Sequence, residues 1–272
     1  MARLLMVALL ALGACTQQQR IKLETGLASA LVSERDEKAL GQEIHKEIER
    51  QGMRKVNDPV VQAYVEGITE RLVGTVKRKK AVDDVHVHVL DAPDQVNAFA
   101  TPGGHLFVFS GLLLTAEDEA EVAGVMAHEI GHIAARHPAR RMVVTYGAQT
   151  VAALALGQDP KLLEQIAAQL VGGGLLASNS RAAEDEADSL GIQYVHRAGW
   201  DPRGLVRFFK RLRDLEGETP AFLGWLSTHP TPTARIERLR DVLRARGWEG
   251  GATNDAEHRK TQHPLLTVGK RD

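Results

Sequence analysis

Residues 115–137 read TAEDEAEVAGVMAHEIGHIAARH, and this stretch decides the fold. Thr115 is a cap residue, Asp118 stands at the capping-box position, and acidic side chains fill the first turn. Val122, Met126, Ile130 and Ile133 recur at helical spacing. The pattern predicts a helix from Thr115 to about His137, closed by Pro138, with those four side chains buried. His128 and His132 lie four apart on it and project from one face about a turn apart. Two imidazoles so placed fit adjacent corners of a tetrahedral zinc site. Glu129 does not share those corners, but it reaches a water at the metal. Zinc lowers that water's pKa, and the glutamate takes its proton during attack on a carbonyl. Val125 and Ile130 add apolar surroundings. In a chain with 11 histidines the bare pattern also arises by chance, as two surface histidines beside an unrelated glutamate.

A catalytic zinc takes three protein groups and leaves one position open. Residues 180–188, SRAAEDEAD, supply candidates on a second predicted helix over 180–197. Glu184 and Asp188 share a face one turn apart. Glu184 suits the third ligand, and Asp188 suits a hydrogen bond to the free nitrogen of a zinc histidine, which fixes that ring's tautomer. Spacing alone does not separate Glu184 from Asp185, and the acidic run also reads as a solvated face.

Around these segments the pattern is mostly helical. Residues 34–51 are amphipathic through Leu40, Ile44 and Ile48. Asp58-Pro59 is a capped start for a helix whose stripe is Val61, Val65, Ile68, Leu72 and Val76. The basic run 77–80 suits that helix's C-terminal end. The period then becomes two: Val85, Val87 and Val89 alternate with His86 and His88. Strands are predicted there, over 96–100 and over 105–109, with a turn at Pro102-Gly103-Gly104. Residues 142–156 and 162–177 are apolar but too short to span a bilayer, so they read as core helices or a cover over a cleft, bendable at Gly172 to Gly174. Helices are also expected over 202–216 and 234–246. From Gly250 onward no period is visible, and a loose tail is expected over 250–272. The fold class is therefore α+β, mostly α-helical, with a small sheet of three strands or slightly more beside the histidine helix.

With 34 basic and 35 acidic residues the net charge is −1, and no basic patch is interleaved with aromatics, so nucleic acid is not an expected partner. Arg3 followed by the apolar run 4–12 reads as a signal segment over 1–14. Leu12-Gly13-Ala14-Cys15 has the form of a bacterial lipobox. Cys15, the one cysteine of the chain, is the expected lipidation site, which leaves no pair for a disulfide. An incidental cysteine after a plain signal is the alternative. Residues 15–33 read as a tether and 34–249 as the main domain. The lipid is the only expected contact with a membrane, placing the domain at the periplasmic face of the envelope. Thr16, where inner-membrane lipoproteins usually carry Asp, leans the assignment to the outer membrane.

Taken in order, several segments resemble one family. They are Asn97-Ala98-Phe99-Ala100-Thr101-Pro102-Gly103-Gly104, Gly111-Leu112-Leu113, the HEIGH segment with residues 133–137, Asn179-Ser180-Arg181 with Glu184 and Asp188, and Ser227-Thr228-His229-Pro230 with Arg235. The chain resembles the HtpX/BepA/LoiP-like gluzincin zinc peptidases, which include the CAAX prenyl endopeptidase, and it is most similar to the compact lipoprotein members. The resemblance implies one zinc per chain, bound by His128, His132 and Glu184, with Asp188 behind them and Glu129 as general base. It implies that His229 and Arg235 stand near the oxyanion, and that in some relatives this histidine swings onto the metal and blocks it. Asn97, Ala98, Phe99 and Ala100 correspond to an edge strand along which unfolded or extended polypeptides add. The implied activity is endopeptidase cleavage of misfolded or stalled envelope proteins. The alternative is a chaperone-like or assembly factor, working with envelope assembly machinery, whose metal site is mostly inhibited. Purely structural zinc is disfavoured by Glu129 and by the lack of cysteine ligands. His137 and the apolar pair 142–156 and 162–177 are placed only loosely.

Overall fold

The computed structural model describes residues 26, 32–77, 82–155, 160–174, 179–215, 225, 229 and 232–268. The signal segment, Cys15, most of the tether, and residues 78–80, 227, 228 and 230 lie outside the described residues.

Helix α1 (Glu34–Arg50) opens on a reciprocal cap: the Ser33 amide donates to Asp36 at 2.9 Å, and the Asp36 amide donates to Ser33 Oγ at 3.2 Å. Its apolar face is Leu40, Ile44 and Ile48, as the spacing predicts. Helix α2 (Pro59–Val73) starts where Asp58 accepts from the amides of Val60 and Val61, and Pro59 has no amide to leave unpaired.

Strands β1 (His86–Leu90), β2 (Ala98–Ala100) and β3 (His105–Phe109) form a sheet in the order β1-β3-β2. β1 runs parallel to β3, with His86 opposite His105. β2 runs antiparallel to β3, with Phe99 opposite Phe107. The turn between β2 and β3 lies tight under α1. Gly103 has φ 79°, and a Cβ there would meet Glu37 O at 2.7 Å, so only glycine fits. β3 is buried on both faces. Leu106 and Val108 face the main core, with Val87 and Val89; Phe107 and Phe109 face α1, with Leu90 and Phe99.

After a short helix α3 (Ser110–Thr115) comes α4 (Glu119–Ala134), the histidine helix. Its limits differ from the sequence expectation. The chain is extended at Ala116, and the cap is Asp118, not Thr115: Asp118 accepts from the Glu121 amide at 2.8 Å. The helix ends at Ala134, because Arg136 takes a left-handed φ of 55°. Its guanidinium is held there by Glu37 at 2.8 Å and by the Val32 carbonyl at 2.7 Å. Pro138 therefore sits in the first turn of α5 (His137–Ala155), where a missing amide costs nothing. Every residue of α4 is buried, not one side only, since it runs through the centre of the domain.

α5 bends at Gly147 (φ 78°), and α6 (Pro160–Gln169) follows. Ile166, Ala167, Leu170 and Val171 pack into the α1 core with Met142 and Val143, whereas Val144 is exposed. No described helix is long and apolar enough to cross a membrane.

Helix α7 (Arg181–Arg197), capped by Ser180, makes the largest contact with α4. α8 (Gly204–Asp214), α9 (Pro232–Arg246) and α10 (Asp255–Val268) complete the described chain. α10 corrects the expectation of a loose tail over this stretch. Its buried positions His258, Thr261 and Leu265 have helical spacing, but two of them are polar, so hydropathy does not reveal the helix. His258 Nε2 lies 2.9 Å from the Ala116 carbonyl, and its Nδ1 lies 2.9 Å from Tyr64 Oη. The Gln262 amide donates to the Leu113 and Ala116 carbonyls, each at 3.0 Å.

Candidate metal centre

His128 and His132 project from one face of α4 with their Nε2 atoms 3.0 Å apart, as the four-residue spacing requires. α7 passes close enough to present Glu184 to both, at 3.5 Å from His128 Nε2 and 3.4 Å from His132 Nε2. Glycines permit that approach. A Cβ on Gly131 would meet the Ala187 carbonyl at 2.9 Å, and one on Gly191 would meet the His128 amide nitrogen at 3.0 Å. Spacing alone leaves Glu184 and Asp185 equivalent, and the resemblance points to Glu184; the helix's orientation separates the two. Glu184 is 1% exposed and faces the histidines, whereas Asp185 turns outward to Arg238.

Asp188, one turn on from Glu184, has its carboxylate 3.0 Å from His128 Nδ1. That leaves His128 Nε2 as its lone-pair nitrogen toward the site. Asp188 also accepts from Arg235 at 2.6 and 2.9 Å and from Arg238 at 2.6 Å. Arg235 Nη1 reaches Glu184 at 2.9 Å, and its guanidinium lies 4.3 Å from the Phe209 ring centroid. Buried carboxylates and guanidinium thus neutralise one another in one network.

His229 enters from the far side. Its Nδ1 is 3.0 Å from Glu184 and 3.3 Å from His128 Nε2, and its Nε2 is 3.2 Å from Glu129 Oε1. Trp225 stacks on its ring with centroids 4.2 Å apart. The fold therefore brings His128, Glu129, His132, Glu184, Asp188, His229 and Arg235 into one buried cluster. Phe99 and Ala100 of β2 line the adjoining pocket with Glu129, His132 and Tyr146. β2 pairs on one side only among the described residues. Asn97 lies just before β2: its carboxamide oxygen accepts from the Ala98 amide at 2.9 Å and its carbonyl from the Phe109 amide.

Sequence spacing gave no role to His137. In the structure its Nδ1 lies 2.7 Å from His132 Nδ1, and its Nε2 lies 3.0 Å from Glu186, which Arg140 also contacts. A proton on His132 Nδ1 turns Nε2 toward the site, so His137 orients the second histidine as Asp188 orients the first. The signal was weak because His137 begins a new helix, and its offset from His132 belongs to no helical period.

Electrostatics suit a cation. Burial holds the His132 imidazole down at about 3, so it is neutral with its lone pair available. Burial opposes charge on Glu184 too, yet the His229 imidazolium and the histidine contacts keep it ionised well below the carboxylate range. Burial would raise Glu129, but His229 beside it holds it below its ordinary value. Against burial, Glu184 and Glu129 raise His229 to about 9. One ligand atom each from His128, His132, Glu184 and His229 lies within 4.8 Å of the others. Glu129 Oε1 is buried beside them without a hydrogen bond, its nearby His229 nitrogen being misaligned. A nitrogen-rich set with one carboxylate, and an unsatisfied carboxylate alongside, fits a divalent zinc-like ion.

A helix-borne His-Glu-x-x-His completed by a carboxylate from a second helix defines a metallopeptidase type of site. The profile of Peptidase family M48 matches residues 59–243, and the chain belongs to this family of metal-dependent peptidases. It is 32% identical over 215 residues to the mitochondrial metalloendopeptidase OMA1 of Schizosaccharomyces pombe, covering 76% of this chain and 61% of that protein. It is 35% identical over 202 residues to the putative beta-barrel assembly-enhancing protease of Vibrio cholerae, covering 70% and 40%. With the beta-barrel assembly-enhancing protease of Escherichia coli K12 the identity is 31% over 196 residues, covering 68% and 39%. The chain thus spans less than two thirds of the length of each of these relatives.

Proposed function

We propose that the chain is a zinc endopeptidase acting on unfolded or extended polypeptides, among them misfolded or stalled envelope proteins. In this reading it is held by a lipid on Cys15 at the periplasmic face of the outer membrane. The observation that carries the reading is the Glu129 Oε1 oxygen, buried without a hydrogen bond against the His128, His132 and Glu184 cluster. Zinc held by those three supplies Lewis acidity to a substrate carbonyl and lowers the pKa of a water. Glu129 takes the proton from the attacking water and returns it to the leaving amine. His229, between Glu129 and Glu184, is placed to donate from its ring to the developing oxyanion. Sequence similarity put Arg235 at the oxyanion as well. Its guanidinium instead spans Asp188 and Glu184, so we assign it to holding those carboxylates in place. The one-sided β2 edge, with Phe99 and Ala100 in the pocket, suits a substrate backbone that adds as a further strand. The bacterial relatives' names support envelope assembly machinery as a source of clients.

Glu129→Gln keeps the ligands and removes the base. Metal content by mass spectrometry is expected to be unchanged while casein cleavage falls about 10²- to 10⁴-fold. Undiminished cleavage overturns the mechanism. A second reading has one specific observation behind it: His229 Nδ1 lies within the ligand cluster, 3.3 Å from His128 Nε2. There it acts as a fourth ligand and closes the site. His229→Ala then raises casein cleavage, whereas the oxyanion role predicts a loss.

A further inference from the structure

Four histidines outside the cluster described above, at 45, 86, 88 and 105, fall close together on α1 and the sheet. Three of them meet where α1 covers the β1–β3 face: His45 from the helix, His88 from β1 and His105 from the start of β3. We propose that His45, His88 and His105 form a second divalent transition-metal site, clamping α1 to the sheet.

Geometry is the first support. One ligand atom from each residue lies within 4.8 Å of the other two. His88 Nε2 and His105 Nδ1 are 3.1 Å apart. The His45 ring centroid is 4.3 Å from that of His88 and 5.4 Å from that of His105. At a zinc–nitrogen length of about 2.0–2.1 Å, tetrahedral ligands stand roughly 3.4 Å from one another, so small rotations suffice.

An unsatisfied atom is the second. His45 Nε2 is buried and makes no hydrogen bond; the Glu49 carboxylate, 3.4 Å away, is misaligned. A buried polar nitrogen left without a partner is costly. Further along the same face the sequence uses Leu90, Phe107 and Phe109 to fill space, so packing alone does not call for three imidazoles.

Charge state is the third. Burial holds His88 at about 3 and His105 at about 4, and also lowers His45, so all three are neutral at pH 7. The surrounding charges nearly balance. Lys55 pairs with Glu49, and Lys38 with Asp84. Glu49 is placed to supply a fourth, oxygen ligand. Three imidazoles with an oxygen suit zinc, nickel, cobalt or copper and not calcium or magnesium.

This site is on the opposite side of the sheet from α4. It still touches the pocket indirectly, because the His88 and Phe107 ring centroids are 4.9 Å apart, and Phe107 stacks at 4.9 Å on Phe99.

The test is equilibrium dialysis of the chain against zinc, with bound metal counted by mass spectrometry. The wild type is expected to hold two ions, and His128→Ala/His132→Ala to keep one. His45→Gln and His88→Gln should each lower the wild-type count by one, with affinity at the lost site falling more than the roughly 10- to 100-fold that an orienting partner contributes. This subtraction reads the second site whatever the first one holds. His45 lies on a helix with its side chain 18% exposed, so His45→Gln serves if His88→Gln fails to fold, and circular dichroism shows which case applies. A wild type whose count does not change in either glutamine variant overturns the proposal.

Discussion

Gly67 and Gly191 both lie inside helices, and alanine at the two positions should act in opposite directions. Alanine exceeds glycine in helix propensity by about 1 kcal/mol. At Gly67, exposed on α2, a Cβ meets nothing within 4 Å, so Gly67→Ala collects that gain, about 0.5–1 kcal/mol. At Gly191 the same atom meets the His128 amide nitrogen at 3.0 Å and its Cα at 3.1 Å. These are backbone atoms of the central helix and do not rotate away. α7 must retreat by a few tenths of an ångström, and overpacking of this kind costs about 1–3 kcal/mol. The two variants should therefore differ by about 1–3 kcal/mol, or roughly 2–10 °C in Tm for a domain of this size. Urea unfolding of the EDTA-treated protein measures the difference directly. The displacement falls at His128, so zinc affinity, read by competition with a chromophoric chelator, should drop in Gly191→Ala and stay constant in Gly67→Ala. If Gly191→Ala proves as stable as Gly67→Ala and binds zinc equally well, the close crossing of α4 and α7 is not what positions the ligands.

Asp188→Ala leaves Arg235 buried beside one carboxylate instead of two, and we expect a loss of about 3–5 kcal/mol in urea unfolding. His137→Ala removes the partner of His132 Nδ1 and should weaken zinc binding about 10- to 100-fold with the helices intact by circular dichroism; equal affinity would show that the His132 ring orients without it. The EDTA-treated protein should be most stable near pH 6.5. His88 and His105, held at about 3 and 4 when folded, bind their protons more readily when unfolded, so their contribution is complete above about 6.5 and is lost as pH falls through 4. His229, raised to about 9 when folded, contributes below about 6.5 and loses that contribution as pH rises through 9. A flat thermal-stability profile between pH 4 and 9 contradicts both assignments.

Local chemistry made much of this protein legible in one dimension. His128, Glu129 and His132 announce a metal site because their spacing and the helical period are both local properties. The same holds for the Ser33 and Asp58 caps, for the stripe Leu40, Ile44 and Ile48, and for the strand at 105–109. What depended on surroundings was not legible. The start of α4 moved to Asp118 because Arg207 and the Thr253 carbonyl meet its first turn from distant parts of the chain. Its end moved to Ala134 because Glu37, nearly a hundred residues away, holds Arg136 in a left-handed conformation. Helix α10 docks through His258 and Gln262 onto carbonyl groups, and a polar stripe has no hydropathic signature. The sequence thus determined which helix carries the candidate metal ligands His128 and His132 and which glutamate stands beside them. Only the tertiary structure turned Arg235 onto the carboxylates, set His137 behind His132 and gathered His45, His88 and His105. Each of those outcomes depends on how two or more elements face one another, and a helix's rotation about its axis is fixed by what it packs against.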